Sequence, residues 1–237
     1  MKADNTLEKL IAKMRSHVRN DPNGDLPMWW RLRLWRAMEE EFKQHSSLRR
    51  SCLALYVFDQ LLPHWDNAEL ESENIEVPPK YATMPRTMGD VARHFLQESI
   101  SKSAMEAITS DYSKHHQYWH GSLGWEEIGD AVFMYDAARF VMWRVLGQDD
   151  EQYRLNNLYE KCDLKDISVR PTEDYLAKPS LWDVHFVGSL IAASGAHWEG
   201  DRCDNELRRQ YWLRWLDVTL PLFLGPIKTA KQMAALE

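Results

Sequence analysis

Apolar side chains recur every three or four residues along most of the chain, which is the spacing of amphipathic α-helices. The N-terminal segment shows the spacing at Leu7, Ile11, Met14 and Val18. No run of alternating apolar and polar residues is long enough to predict a sheet. The pattern therefore predicts an all-α fold, a single-domain multi-helix bundle over residues 1–237. About eight to ten helices fit this length if helices average three turns.

Turn and cap residues divide the pattern into separate helices. The turn DPNGD (residues 21–25) ends the first helix, and Pro27 fits the first position of the second. A third helix is expected to stop near Pro63, because proline cannot continue the backbone ladder. Thr87 is expected to open a further helix that continues to Ile100.

A long irregular segment at about residues 63–86, here called the acidic segment, interrupts the helical pattern. Its residues 64–85 hold three prolines and no apolar periodicity, and connections of this length are usually functional or flexible. We predict that its acidic side chains bind a basic surface on a partner. The alternative interpretation is a solvated linker, which is what a run of charged residues usually forms. The predicted partner-binding residues are Asp66, Glu69, Glu71, Glu73 and Glu76.

Residues 181–224, here called the signature segment, read as two amphipathic helices joined by a polar turn. Ser180 and Asp183 are spaced as a capping box for the first of these helices, which should end at Gly195. Asp204 is predicted to cap the second, and Pro221 to kink or end it.

Charge and composition narrow the class of partner. The chain carries a net charge of −7, and the first 60 residues are slightly basic while the remainder is acidic. An acidic balance argues against a general affinity for nucleic acid or for an anionic membrane. The three cysteines, Cys52, Cys162 and Cys203, have no spacing pattern, which is typical of reduced thiols. The N-terminus has no apolar signal region and no segment is apolar enough to span a bilayer, so a soluble, cytoplasmic protein is predicted.

Three groups of residues are candidate chemical sites. His116 and His120 share a helix face with spacing that suits zinc, but no glutamate lies between them, and with His115 they fit a solvated helix end better. The turn that holds His197, Asp201 and Cys203 is a second candidate metal site. His185 and two aspartates, Asp183 and Asp204, belong to the same set, but the aspartates are already explained as helix caps. Acids on one predicted helix form the third group, read as first-turn and ordinary surface residues: Glu126, Glu127, Asp130 and Asp136. No motif of a known catalytic site is present, so no cofactor, metal or catalytic residue is predicted.

Aromatic and basic side chains near helix ends indicate two further candidate binding surfaces, one for protein and one for nucleic acid. Four tryptophans beside glycines or at helix ends are candidates for exposure at a protein interface, although burial is the simpler interpretation for each one alone: Trp29, Trp30, Trp119 and Trp125. Arg31, Arg33 and Arg36 alternate with aromatics, as in some nucleic-acid-binding segments. Three glutamates follow directly (residues 39–41), so ion pairs within the helix are the simpler interpretation.

The signature segment resembles the C-terminal part of a family of predicted all-α immunity proteins encoded in bacterial polymorphic-toxin loci. The resemblance rests on small residues around Ala192 and Gly195, on Pro221, and on a set of tryptophan, aspartate and arginine positions: Trp182, Asp183, Trp198, Arg208, Arg209, Trp212 and Trp215. The segment LALYVFDQLLPHW (residues 53–65) is similar to a helix-then-proline segment near that family's N-terminal end. The acidic segment and the stretch around residues 115–120 depart from the pattern.

The resemblance implies a protein that binds and neutralises a cognate toxin by occlusion, without catalysis. Its shared tryptophans and arginines are expected to be scaffold, with Arg208 and Arg209 paired to Asp183 or Asp217. The partner surface is then expected on the loops. Two alternatives stay open: an all-α metal-dependent enzyme that uses the turn from His197 to Cys203, and a structural adaptor.

Overall fold

The computed structural model describes residues 6–66, 83–122, 130–147, 183–195 and 203–225. Every regular element in these ranges is helical, which confirms the predicted all-α class. The described residues form seven helices of ten residues or more, slightly fewer than the predicted eight to ten. These are α1 (Thr6–Asn20), α2 (Met28–Phe42), α3 (Ser46–Asp66), α4 (Met84–Leu96), α5 (Lys102–Ser122), α6 (Asp130–Leu146) and α8 (Asn205–Arg214). The shorter helices are α7 (Val184–Ala192) and α9 (Leu220–Leu224).

The chain divides into two compact units. The first comprises Met1–Ser47 with Asp150–Leu222, and the second comprises Leu48–Asp149 with Phe223–Glu237. The first unit therefore holds α1, α2, α7 and α8, and the second holds most of α3 with α4, α5 and α6. The single domain expected from the sequence stays a prediction.

In the first unit, α1 packs against α2 and α8, and α7 packs against α8. The stripe predicted for α1 is buried, with Met14 and Val18 fully removed from solvent. The turn before α2 approaches α8 closely at Gly24, whose φ of 63° favours glycine. A side chain on Gly24 would meet Arg209 Cβ at 2.8 Å, so this residue type permits the approach. Pro27 is the residue before α2, one place earlier than predicted.

In the second unit, α6 packs against both α4 and α5. The backbone of α4 lies close to α3 at Gly89, where a Cβ would meet Phe58 Cε1 at 2.8 Å. The Tyr112 hydroxyl donates to the Tyr135 carbonyl over 2.6 Å, and the two rings stack with centroids 5.6 Å apart. Burial raises the pKa of Tyr112 well above its ordinary value, and Tyr135 and Asp136 raise it further. An uncharged hydrogen bond and stacked rings therefore join α5 to α6.

The predicted stop at Pro63 is wrong, because α3 continues to Asp66. A proline inside a helix costs about 3 kcal/mol. Trp65, two residues further on, is buried, and its ring meets that of Tyr135 at 5.3 Å between centroids. Packing of this aromatic side chain offsets the cost of the proline.

The predicted limits of the next helix are also wrong at both ends. It begins at Met84, before Thr87, with Pro85 in its first turn. It ends at Leu96, before Ile100. Glu98 has a φ of 60°, and the Ser99 amide donates back to the His94 carbonyl over 2.9 Å, so the helix ends there in a left-handed cap.

Pro221 lies inside α9 and does not end the helical run. The five residues before α9, Trp215–Thr219, form a π-helical turn in which the Leu220 amide donates to the Trp215 carbonyl. Proline has no amide to donate to the residue four places earlier, and a widened turn accommodates that missing bond. The predicted kink is therefore a local change of helix type.

No helix in the part of the chain that the structure describes is long and apolar enough to cross a membrane.

Candidate functional site

The two helices of the signature segment are capped by aspartates. Asp183 precedes α7 in extended backbone geometry, and its Oδ1 accepts from the Phe186 amide over 2.8 Å. Asp204 precedes α8 and accepts from the amides of Glu206 and Leu207 over 2.9 and 3.0 Å. The prediction for Asp204 is confirmed. For α7 the cap is Asp183 itself, one residue before the helix, while Ser180 lies outside the described residues.

The Asp183 carboxylate is also half of a buried ion pair. Arg31 Nε donates to Asp183 Oδ2 over 2.9 Å, and the Arg31 side chain is 1% exposed. Arg31 Nη1 donates to the Leu26 carbonyl, and the guanidinium lies 5.3 Å from the ring centroids of both Phe186 and Trp212. The local ion pair predicted for Arg31 with the glutamates that follow it is therefore wrong, because a partner far along the chain takes its charge.

The pKa of Asp183 reports the balance of forces at this pair. Burial opposes ionisation and is the largest effect. Arg31, His185 and the Phe186 amide together outweigh it, so the pKa of Asp183 lies below its ordinary value. A folded chain at neutral pH therefore holds Asp183 as a carboxylate.

Tryptophan side chains from α2 and from the π-helical turn after α8 lie against His185, beside the Arg31–Asp183 ion pair. Trp215 Nε1 donates to His185 Nδ1 over 3.3 Å, which makes Nδ1 the acceptor nitrogen of the ring. The Trp35 and Trp215 rings lie 5.4 and 5.2 Å from the imidazole centroid. The Tyr211 hydroxyl donates to the His185 carbonyl over 3.0 Å, and burial raises the pKa of Tyr211. His185 therefore sits within the packed interior of its unit.

Close packing of α7 on α8 requires a glycine at residue 188. A Cβ there would overlap the Tyr211 hydroxyl and lie 2.8 Å from Tyr211 Cζ. Trp212 and Trp215 are also buried, with ring centroids 5.7 Å apart. Trp212 Nε1 donates to Asp25 Oδ1 over 3.0 Å. These positions support a structural role for the two tryptophans, and that role stays a prediction.

The arginines of the signature segment have other partners than those predicted. Arg208 Nη2 donates to the Gly195 carbonyl over 2.6 Å and lies 2.9 Å from Cys203 Sγ. Asp183 pairs with Arg31 instead, so the expected pairing of Arg208 or Arg209 with Asp183 is wrong.

Arg209 reaches back to the turn between α1 and α2. It donates to the Asp21 carbonyl over 3.0 Å and pairs with Glu206. Asp217, the other expected partner of these arginines, pairs with Arg15 of α1. Within the described residues, Arg208 and Arg209 therefore both bind backbone carbonyls, and Arg209 also pairs with the Glu206 carboxylate.

Several predicted residues lie outside the described part of the chain. Among the signature positions these are Trp182 and Trp198. Asp66 is the last residue of α3, but its side chain is outside the description, as are Glu69, Glu71, Glu73 and Glu76. The predicted partner-binding role of these acids stays a prediction.

The metal candidates are only partly described. Cys203 is described, whereas His197 and Asp201 are not. His115, His116 and His120 lie within α5, without a description of their side chains. No group of three or more histidine, cysteine or carboxylate side chains that could hold a metal occurs among the described residues. The metal alternatives therefore gain no support from this part of the molecule.

The interpretation of Asp136 as a surface residue is wrong. Asp136 is fully buried and pairs with Arg139 over 2.8 Å, so it is not an ordinary surface residue. The other acids of that group, Glu126 and Glu127, lie outside the described residues, and Asp130 begins α6.

Trp29 and Trp30 are buried, which is the simpler of the two interpretations given for them, and their rings stack with centroids 4.4 Å apart. The Arg33 guanidinium lies 5.5 and 5.7 Å from these two centroids. Arg36 lies within 3.7 Å of Glu40, as the interpretation of ion pairs within the helix predicted. Trp119 belongs to α5, but its side chain is outside the description, as is Trp125.

Sequence reasoning missed the buried partners Asp25, Arg31 and Tyr211. Only one signal was available for them: Arg31 follows two tryptophans on an apolar helix face, where a charged residue needs a buried counter-ion. The sequence contains no sign of which aspartate that is.

The family model of Immunity protein Imm5 matches residues 11–222. A search of curated proteins found no match.

Proposed function

This chain belongs to the Imm5 immunity protein family, and we propose that it binds and neutralises a cognate protein toxin made by the same bacterial cell. The observation that carries the proposal is the family match, which extends over residues 11–222 and thus over most of the chain. Binding inhibits by covering the toxin's working surface, so the chain needs no catalytic residue of its own. Its place of action is the cytoplasm, where a toxin is first made.

Burial of the signature positions supports a binding surface elsewhere on the molecule. Arg208, Trp212 and Trp215 are each at most 2% exposed, so a partner cannot reach them without unfolding the unit. Residues that recognise different toxins must be free to vary, and variation is tolerated best on exposed connections. The acidic segment is predicted to be such a connection, and it carries a concentration of negative charge.

We assign toxin recognition to Asp66, Glu69, Glu71, Glu73 and Glu76 of the acidic segment. Five acids within eleven residues give a concentrated negative field in a chain whose net charge is −7. Such a field attracts a basic surface and raises the rate of encounter. Enzymes that act on nucleic acids carry basic surfaces, and a toxin of that class fits the charge best.

The partner is tested first by capture. The tagged chain is recovered from its native host, and bound proteins are identified by mass spectrometry. One stoichiometric partner with a toxin-like C-terminal domain is the expected result. A clean protein without a partner, above all one that carries a stoichiometric metal, contradicts the proposal and favours the metal-dependent alternative at His197, Asp201 and Cys203.

The surface is tested with the captured toxin domain and a charge-neutral variant. Replacing Asp66 by Asn and the four glutamates by Gln should slow association at least tenfold at low salt, with a smaller effect at high salt, because exposed charges act through a screened field. The matched control is Glu39→Gln/Glu40→Gln/Glu41→Gln, which neutralises an exposed acidic run on α2. Equal slowing in both variants would contradict the assignment of the acidic segment.

A further inference from the structure

The exposed large apolar side chains in the described part of the chain all lie on one helical run. They are Leu207 in α8, Val218 in the π-helical turn and Leu222 in α9, and 44%, 53% and 49% of their respective surfaces are exposed. Their spacings of eleven and four residues correspond to about three turns and one turn of helix, so the three side chains share one face. A single exposed apolar residue needs no explanation, but a row of them on one face marks an interaction surface.

Two exposed polar residues, Gln210 and Arg214, lie between Leu207 and Val218 on the same face. The Gln210 amide nitrogen donates to Glu206 Oε1 over 3.3 Å, so the amide oxygen of Gln210 is left to accept a hydrogen bond. The Arg214 guanidinium makes no ion pair within the described residues, and it carries its charge at every pH at which the chain is folded. We call the five residues of this face the exposed stripe: Leu207, Gln210, Arg214, Val218 and Leu222.

The order of side chains along the exposed stripe reads alike in both directions. Leu207 precedes Gln210 by three residues, and Val218 follows Arg214 by four. A second copy of the chain that lies antiparallel against the stripe therefore brings Leu207 opposite Val218 and Gln210 opposite Arg214. A two-fold axis repeats both contacts, as in the isologous interfaces of homodimers. Each guanidinium then donates to an amide oxygen in a charge-assisted hydrogen bond, and each apolar side chain covers another.

We propose that the exposed stripe is a self-association surface, which binds the same stripe of a second copy in antiparallel orientation. One pair of short helices buries less than the roughly 1,600 Å² of a standard interface, so the dimer is weak and forms at micromolar concentrations. Each copy carries a net charge of −7, and the two copies repel each other at long range. Added salt screens this repulsion and should favour the dimer, whereas it should weaken the proposed association with a basic toxin.

The test is sedimentation equilibrium of the purified full chain, without any partner, from about 1 μM to about 200 μM. The average mass should rise with concentration from the monomer value of 27.9 kDa. Val218→Glu should raise the dissociation constant about tenfold or more, because the dimer places the new carboxylate against Leu207 of the second copy. Ala12→Glu is the matched control, since it adds the same charge at an exposed position of α1. A chain that stays monomeric throughout, or an equal loss in both variants, would overturn the proposal.

Pairs of introduced cysteines test the antiparallel register. Leu207→Cys and Val218→Cys are prepared separately, mixed at a concentration at which the chain dimerises, and oxidised mildly. Peptide mass spectrometry should find a disulfide between the two introduced thiols, formed several-fold faster than any cross-link in either variant alone. Equally fast cross-linking of Leu207→Cys to itself would indicate a parallel pair and contradict the proposed register.

The cognate toxin is the other candidate occupant of the exposed stripe. If the wild-type chain is monomeric and Val218→Glu, but not Ala12→Glu, weakens its binding to the captured toxin domain, the stripe belongs to the toxin and self-association is refuted. If the chain dimerises and Val218→Glu binds the toxin domain as tightly as wild type, the stripe belongs to the second copy, as proposed.

Discussion

Asp183 in the first compact unit and Asp136 in the second are both buried carboxylates, and each is paired with an arginine. Arg31, the partner of Asp183, lies 152 residues away along the chain, whereas Arg139 lies three residues after Asp136 on the same helix. The pair in the second unit can form as soon as α6 forms. The pair in the first unit forms only when distant parts of the chain have come together. Of these two pairs, the one at Asp183 therefore reports tertiary assembly, and the one at Asp136 reports local helix formation.

The largest expected effect comes from removing these two carboxylates. Asp183→Asn keeps an acceptor for the Phe186 amide but leaves the 1% exposed Arg31 without its counter-charge, so the free energy of unfolding should fall by about 3–5 kcal/mol. Asp136→Asn should cost less, about 1–3 kcal/mol, because Arg139 is 18% exposed and reaches water. Urea denaturation measures both, and equal losses would break the comparison.

A smaller effect is expected where the first unit is packed most tightly. Gly188→Ala should lower the free energy of unfolding by about 1–3 kcal/mol, because the new methyl group overlaps Tyr211 and displaces its hydrogen bond to the His185 carbonyl. Gly225→Ala is the matched control, since nothing lies within 4 Å of a Cβ there. Thermal denaturation of the two variants should separate them, and a Gly188→Ala protein as stable as the control would refute the packing at this point.

Uncharged buried hydrogen bonds should behave alike in the two units. Tyr211→Phe and Tyr112→Phe each remove one hydroxyl that donates to a backbone carbonyl. Each should cost about 1 kcal/mol in denaturant titrations, the usual net value of such a bond. A difference of more than about 2 kcal/mol between the variants would show that the contrast between the units extends beyond their charged groups.

The smallest expected effect is a pH dependence. The pKa of Asp183 is lowered in the folded chain, so its stabilisation is fully present above the ordinary aspartate pKa of about 4. That stabilisation is lost as pH falls through the lower pKa of the folded state. The free energy of unfolding, measured from pH 7 down to pH 3, should therefore decline more steeply for wild type than for Asp183→Asn. Parallel curves would mean that Asp183 is not ionised in the fold.

Local features of the fold could be predicted from the sequence, and long-range pairings could not. The stripe of α1 and the cap Asp204 were found because spacing and caps act within a few residues. Arg31 was assigned to the neighbouring glutamates because a sequence shows neighbours along the chain and not partners in space. Pro63 predicts the end of a helix because its cost is local, whereas the Trp65 packing that offsets this cost depends on the distant Tyr135.

The same limit applies to the candidate site. Tryptophan and arginine positions were enough to identify the family resemblance, and the match to Imm5 confirms it. Their partners depend on tertiary geometry, which is why Arg208 and Arg209 were assigned to the wrong aspartates.

The most direct test of the central claim is protection of growing cells. The captured toxin domain is expressed under an inducible promoter, alone or together with this chain. We predict that wild-type chain restores growth and that the variant neutralised at Asp66, Glu69, Glu71, Glu73 and Glu76 protects less well at equal expression. Growth arrest that persists in the presence of the wild-type chain would contradict the proposal that this protein neutralises a toxin.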